Sequence, residues 1–142
     1  MSARIRSTML RIGGGLLVAL GILHLLVTPH IAHLIRGSTS REAATWLVPP
    51  MLLNHVVLGI LFLPLGGLTA YSAPYAARGD RWALVVSRAI AAAIATLPVT
   101  LFVIMGTRYF EALAFVVASA ILSAACLALL AAAFWPTARQ SA

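Results

Sequence analysis

The chain contains no lysine, one cysteine and only three acidic residues, Glu42, Asp80 and Glu111. Each shortage excludes something. Charged residues make up 9% of the 142 positions and hydrophobic residues 62%, against roughly 25% charged in a soluble domain. Mean hydropathy is +1.02, and a water-soluble globule is excluded. A lone cysteine, Cys126 in an apolar run, excludes an intramolecular disulfide and a paired-thiol site; it reads as a buried, inert thiol. So few acids leave no Ser-His-Asp arrangement, and the cysteine's surroundings leave no Cys-His pair. The Gly13-Gly14-Gly15 run lacks the Gly-Lys-Ser/Thr that completes a phosphate loop, so it reads as a close-packed helix start.

What is present is apolar sequence in long runs. Four stretches, 12–35, 51–70, 82–105 and 112–135, are long enough to cross a bilayer as helices; the first spans about 36 Å at 1.5 Å per residue. None alternates as a barrel strand does. The expected fold is all-α: a single integral membrane four-helix bundle over residues 1–142, with no internal repeat. Arg4, Arg6 and Arg11 precede the first stretch as they would a signal peptide. That stretch is too long for an ordinary signal core, however, and no small-residue cleavage site follows it. It reads as a retained first helix.

The formal charge of +7 is carried by arginines scattered between apolar runs. This pattern fits membrane topology signals and anionic headgroups better than a nucleic-acid-binding face. The expected partners are the lipid bilayer, together with other membrane subunits or further copies of the chain; nucleic acid is excluded. With the N-terminus inside, Arg4, Arg6, Arg11, Arg78, Arg81 and Arg139 fall on the inner side, with Arg88 close by. Only Arg36, Arg41 and Arg108 fall outside, so the positive-inside rule predicts that both termini are cytoplasmic. Tyr71, Tyr75, Trp82 and Trp135 then mark the inner edge and Trp46 and Tyr109 the outer one. Alanine and arginine bias without lysine points to a GC-rich bacterial source and so to the plasma membrane. Arg88 is expected to snorkel to headgroups, and Arg108 and Glu111 to form an exposed ion pair of little energetic weight.

Pro49-Pro50 predicts a fresh helix start near Met51, with a separate short interfacial helix over 41–48. Pro29, Pro64 and Pro98 predict kinks, and Pro64-Leu65-Gly66-Gly67 a break in the second helix. Close packing is expected from Gly15-x-x-x-Ala19 and from the fourth helix's small residues, Ala118 to Ala120 and Ser123 to Ala125.

Ionisable groups within a membrane are functional candidates. All four histidines lie in the first two stretches. If the first ends near Ile35 and the second begins near Pro50, His30 and His55 both lie roughly 7.5 Å beneath the outer boundary. His33 shares a helix face with His30, while His24 lies near the bilayer centre and points away from both. Asn54, Thr28, Thr107, Arg108 and Glu111 add polarity to the same outer half. Two cofactor arrangements follow. His30, His33, His55 and Glu111 would make a metal site, or His30 and His55 would face each other across a haem, with His24 a further imidazole nearby. The functional expectation is a metal- or haem-binding, redox-type membrane module. The alternatives are an accessory subunit of a larger complex and a small oligomeric transporter or channel.

Overall fold

The structure is a computed structural model that describes residues 1–106 and 113–135. Among them are four helices: α1 (Ala3–Ser38), α2 (Arg41–Arg78), α3 (Arg81–Met105) and α4 (Leu113–Phe134). All four are long and apolar enough to cross a membrane. Arg108, Tyr109, Glu111 and Arg139, to which the sequence assigns roles, lie outside the described residues.

The helices outrun their apolar stretches because hydropathy marks only the lipid-facing part of a helix. α1 begins at Ala3, with Ser2 accepting from the Ile5 N–H at 3.3 Å. A two-residue turn, Thr39 and Ser40, then reverses the chain. The Thr39 hydroxyl donates to the Ile35 carbonyl at 2.8 Å, and the Ser40 oxygen accepts from the Ala43 N–H at 3.2 Å, a serine N-cap that satisfies one orphan donor of α2. The expected short helix over 41–48 and the expected helix from Met51 are one continuous element. Pro49 and Pro50 remove donors for the Thr45 and Trp46 carbonyls. All four residues are exposed, so water or headgroups can satisfy those carbonyls and the helix does not end there. Neither Pro64 nor Gly66-Gly67 ends it either. α2 stops at Gly79, which adopts the left-handed conformation (φ 91°). Its N–H reaches the Ala76 carbonyl and the Asp80 N–H reaches Tyr75, the pairing of a glycine-terminated helix.

α1 packs against α2 and α4, and α3 against the same two, so the bundle closes as a ring. The α1–α2 interface is the most extensive. The Arg6 guanidinium (Nη2) donates to the Trp135 carbonyl at 2.6 Å, which places the start of α1 beside the end of α4. Arg88 Nε donates to the Ala133 carbonyl at 3.2 Å, bringing α3's start to the same place. The start of α1, the end of α4 and the α2–α3 turn therefore share one end of the bundle, the terminal end; the α1–α2 turn marks the other, the hairpin end.

The core lies toward the terminal end. Ala73, Ala76, Ala83, Ala91, Ala125 and Ala132 are fully buried there, with Leu10, Leu17 and Leu129 filling between them. Ser72 and Ser87 meet across α2 and α3 at 3.5 Å. Small side chains let smooth helices approach, and in lipid that van der Waals contact is what holds them together. The glycine face differs from expectation. Gly15 and Ala19 are exposed, and the close approach is made by Gly14 and Gly21. A β-carbon on Gly14 would meet the Gly66 carbonyl oxygen at 2.6 Å, and one on Gly21 the Gly59 oxygen at 2.8 Å.

Toward the hairpin end the ring opens. α2 has 38 residues and α3 has 25. Measured from their shared turn, the α1–α2 hairpin rises about 20 Å further than α3 at 1.5 Å per residue.

Candidate functional site

The tight Thr39–Ser40 turn fixes the register of the α1–α2 hairpin. Gly14 lies against Gly66 and Gly21 against Gly59, so seven residues up α1 match seven down α2. One turn beyond Gly21 stands His24, and one turn beyond Gly59 stands His55. Their rings stack with centroids 4.6 Å apart and planes inclined by 30°. Phe62, two turns from His55 along the same seam, meets the His24 ring edge-on at 5.6 Å.

This pairing replaces the expected meeting of His30 with His55. That expectation placed α2's start at Pro50 and matched depths from there. α2 instead begins at Arg41, and the shorter turn moves His55's opposite number about one and a half turns back along α1, to His24. His30 and His33 are exposed on the part of α1 that rises past the end of α3. Of the expected four-residue metal set, Glu111 lies outside the described residues, and among the described residues no three His, Cys, Asp or Glu side chains converge. Nor does the stacked His24–His55 pair fit a haem. Axial imidazoles lie on opposite faces of a macrocycle, whereas the His24 and His55 rings are in van der Waals contact.

Hydrogen bonds define the state of His24. Its Nδ1 lies 2.9 Å from the Leu20 carbonyl. A carbonyl only accepts, so Nδ1 carries the proton and Nε2 of the neutral ring presents a lone pair. The Thr28 hydroxyl donates to the His24 carbonyl at 2.8 Å, which ties the next turn of α1 in place. His55 Nε2 is buried with no hydrogen-bond partner.

Both rings border a cavity of about 850 Å³ between the four helices, where the ring opens toward the hairpin end. Leu20 and Ile35 of α1, Met51 and Leu58 of α2, Leu101 and Ile104 of α3, and Phe115 and Leu122 of α4 make it predominantly apolar. Among the described residues, the polar groups on its wall are His24, Asn54, His55, Thr100 and Ser119. Ser119 projects from α4, across the bundle from the histidine pair, and its hydroxyl is also buried without a partner. Leaving a buried polar atom unpaired costs about 1–3 kcal/mol. Two such atoms lie on different walls of one cavity. A smaller pocket of about 220 Å³ between α3 and α4 adjoins it, sharing Leu101, Ser119 and Leu122.

A second polar feature lies at the terminal end. Arg6 is only 3% exposed, and together with Arg88 it caps the last carbonyls of α4, which has no basic residue in its own last turn. Cations there oppose the partial negative charge of a helix C-terminus. Arg88 is itself exposed and lies over the Phe134 ring at 5.9 Å, so the side chain expected to reach headgroups also ties α3 to α4. In sequence Arg6 is one of three arginines that read as topology charges, and nothing local marks it as buried. Nearby, Tyr71, Tyr75 and Trp82 cluster at 5.2–6.4 Å, with Arg78 over Tyr75.

No family model, curated protein or solved structure matches this chain.

Proposed function

We propose that this chain is a small integral membrane protein that binds a largely apolar small molecule in the hairpin-end cavity, with the histidine pair engaging the molecule's polar end. The observation that carries this reading is the pair of buried, unpartnered polar atoms, His55 Nε2 and Ser119 Oγ, on facing walls of an apolar cavity. The cavity volume falls in the range of small-molecule sites, about 300–1,000 Å³. To test it, the protein is extracted from its membrane directly into nanodiscs, and the organic extract is compared with that of an Ala118→Trp variant, which places an indole at a residue lining the cavity. A small apolar compound, near one per chain in the wild type and depleted in the variant, is the expected result. Equal extracts overturn the reading. One equivalent of haem or transition metal in the wild type overturns it in favour of a metallocofactor module.

The setting we propose is a bacterial plasma membrane with both termini cytoplasmic, so that the cavity opens toward the outer face. The excess of arginines at the terminal end supports it. A reporter active only outside the cytoplasm, fused to the C-terminus, is expected to be silent; activity there reverses the orientation.

A second reading, docking to another membrane subunit or to a second copy, is favoured by Gly15 and Ala19. They lie one turn apart and exposed, and a β-carbon at Gly15 would meet nothing within 4 Å. Replacing both with leucine is expected to remove any partner that co-purifies; unchanged co-purification refutes it.

A further inference from the structure

We infer that the occupant's polar end is a hydroxyl that donates a hydrogen bond: the ligand class is an apolar phenol, quinol or long-chain alcohol rather than a ketone, an ether or an ion. This rests on the cavity being a ligand site, and it follows from which atoms the wall leaves open.

Charge is excluded first. Among the described residues the wall carries no Arg, Lys, Asp or Glu, so these residues give an ionic headgroup no opposite charge to replace its lost hydration, which costs several kcal/mol per ion. A neutral polar group needs only hydrogen bonds.

The direction of one of those bonds follows from His24, whose ring borders the cavity. Its Nδ1–H is committed to the Leu20 carbonyl, so the neutral ring keeps an acceptor at Nε2 and no second donor. A carbonyl or ether oxygen, which only accepts, would meet the Nε2 lone pair with its own. A hydroxyl meets it with a proton and keeps its oxygen free to accept. Ser119, unpartnered on the α4 wall, has a hydroxyl that donates. A molecule with a donor toward the histidines and an acceptor toward Ser119 satisfies both walls, and a ring bearing two oxygens does so with one planar head. Phe62, edge-on to His24, and Phe115 supply aromatic surface for such a ring.

The test uses the full chain in nanodiscs, with histidine rings labelled with ¹⁵N, and three probes of matched tail. The probes are 4-heptylphenol, 4-heptyltoluene (a methyl in place of the hydroxyl) and 4-heptylanisole (an acceptor without a donor). Affinities are expressed per mole fraction of probe in the lipid, so that partitioning cancels. The expected result is that the phenol binds about tenfold more tightly than either analogue, the worth of one net buried hydrogen bond. The phenol is also expected to shift the His24 Nε2 resonance while Nδ1 stays protonated. His24→Phe, which keeps a ring on His55, is expected to bind all three probes alike. Phenol and toluene binding equally overturns the hydroxyl assignment and leaves the cavity a ligand site. Anisole matching the phenol reverses the donor and acceptor roles. If no probe binds, the ligand-site reading itself falls.

Discussion

Adjacent glycines in α2 offer a controlled test of the packing that brings the histidines together. Gly66 and Gly67 are neighbours in one helix, and replacing either with alanine changes helix propensity by the same amount, up to about 1 kcal/mol in favour of alanine. Their surroundings differ. A β-carbon on Gly66 would stand 2.5 Å from the Gly14 carbonyl oxygen and 2.9 Å from the Val18 nitrogen, both backbone atoms, whereas one on Gly67 would meet nothing within 4 Å. No rotamer relieves a clash with backbone, so α1 and α2 must part by nearly 1 Å at this level. A gap of 0.5–1 Å forfeits a quarter to a half of each dispersion contact across the seam, and overpacking of this kind costs about 1–3 kcal/mol. The difference between the two variants isolates that cost, because propensity cancels. Cys126, 7% exposed and the chain's one thiol, supplies the assay: a thiol-reactive fluorogenic dye reports when the bundle opens on heating. At about 3 °C per kcal/mol for a chain of this size, Gly66→Ala is expected to melt about 3–9 °C below Gly67→Ala, and Gly67→Ala at or above the wild type. Equal melting temperatures, or Gly66→Ala as the more stable, would refute the close-contact seam and with it the register that pairs His24 with His55.

Ser119→Ala removes a buried hydroxyl that has no partner and is expected to raise stability by about 1 kcal/mol while weakening ligand retention; the same dye and extraction measurements read both. Arg6→Ala frees the Trp135 carbonyl and is expected to cost about 1.5–3 kcal/mol, the range for hydrogen bonds to charged groups, seen as a lower melting temperature. Gly79→Ala forces a side chain into φ 91°, and its expected cost is about 1–2 kcal/mol. His30→Ala and His33→Ala, at exposed positions, are expected to stay within about 0.5 kcal/mol of the wild type, with the ¹⁵N signal of His24 unmoved.

Four membrane-length helices were legible because apolar runs of that length have few other solutions. The ends of α3 fall within a residue of its hydropathy limits, because charge at Asp80-Arg81 and glycine at Gly106 coincide there with the helix ends. At the ends of α1 and α2 they do not coincide. Arginine, serine and threonine interrupt hydropathy without interrupting the helix, so α1 reaches back to Ala3 and α2 starts at Arg41. Pro49-Pro50 read as a start because proline favours a helix's first turn. Exposure is what lets the helix run through, and exposure is a tertiary property. The Gly13-Gly14-Gly15 run has the same difficulty. Any of the three can face a neighbour, and only the position of Gly66 on α2 selects Gly14.

The histidine pair was within reach of the sequence through a pattern rather than through depth. Reading outward from Thr39-Ser40, α1 carries His24, Gly21 and Gly14, while α2 carries His55, Gly59 and Gly66. The two series are nearly mirror images about the turn, with a one-turn step and then a two-turn step. An antiparallel hairpin with a short connection matches residues by their distance from the turn, so such symmetry in residues chosen for small size predicts contact directly. Depth estimates, by contrast, depend on where each helix is taken to begin and end: placing α2's start nine residues late and α1's end three residues early shifts the predicted partner of His55 by six residues, the full distance from His24 to His30. The glycines explain why these two imidazoles touch: backbones that close at Gly21 and Gly59 leave room one turn further on only for two flat rings in a stack. What the seam does not fill, beyond those rings, is the cavity that α3 and α4 wall off, and the unpaired atoms at its surface follow from the same geometry.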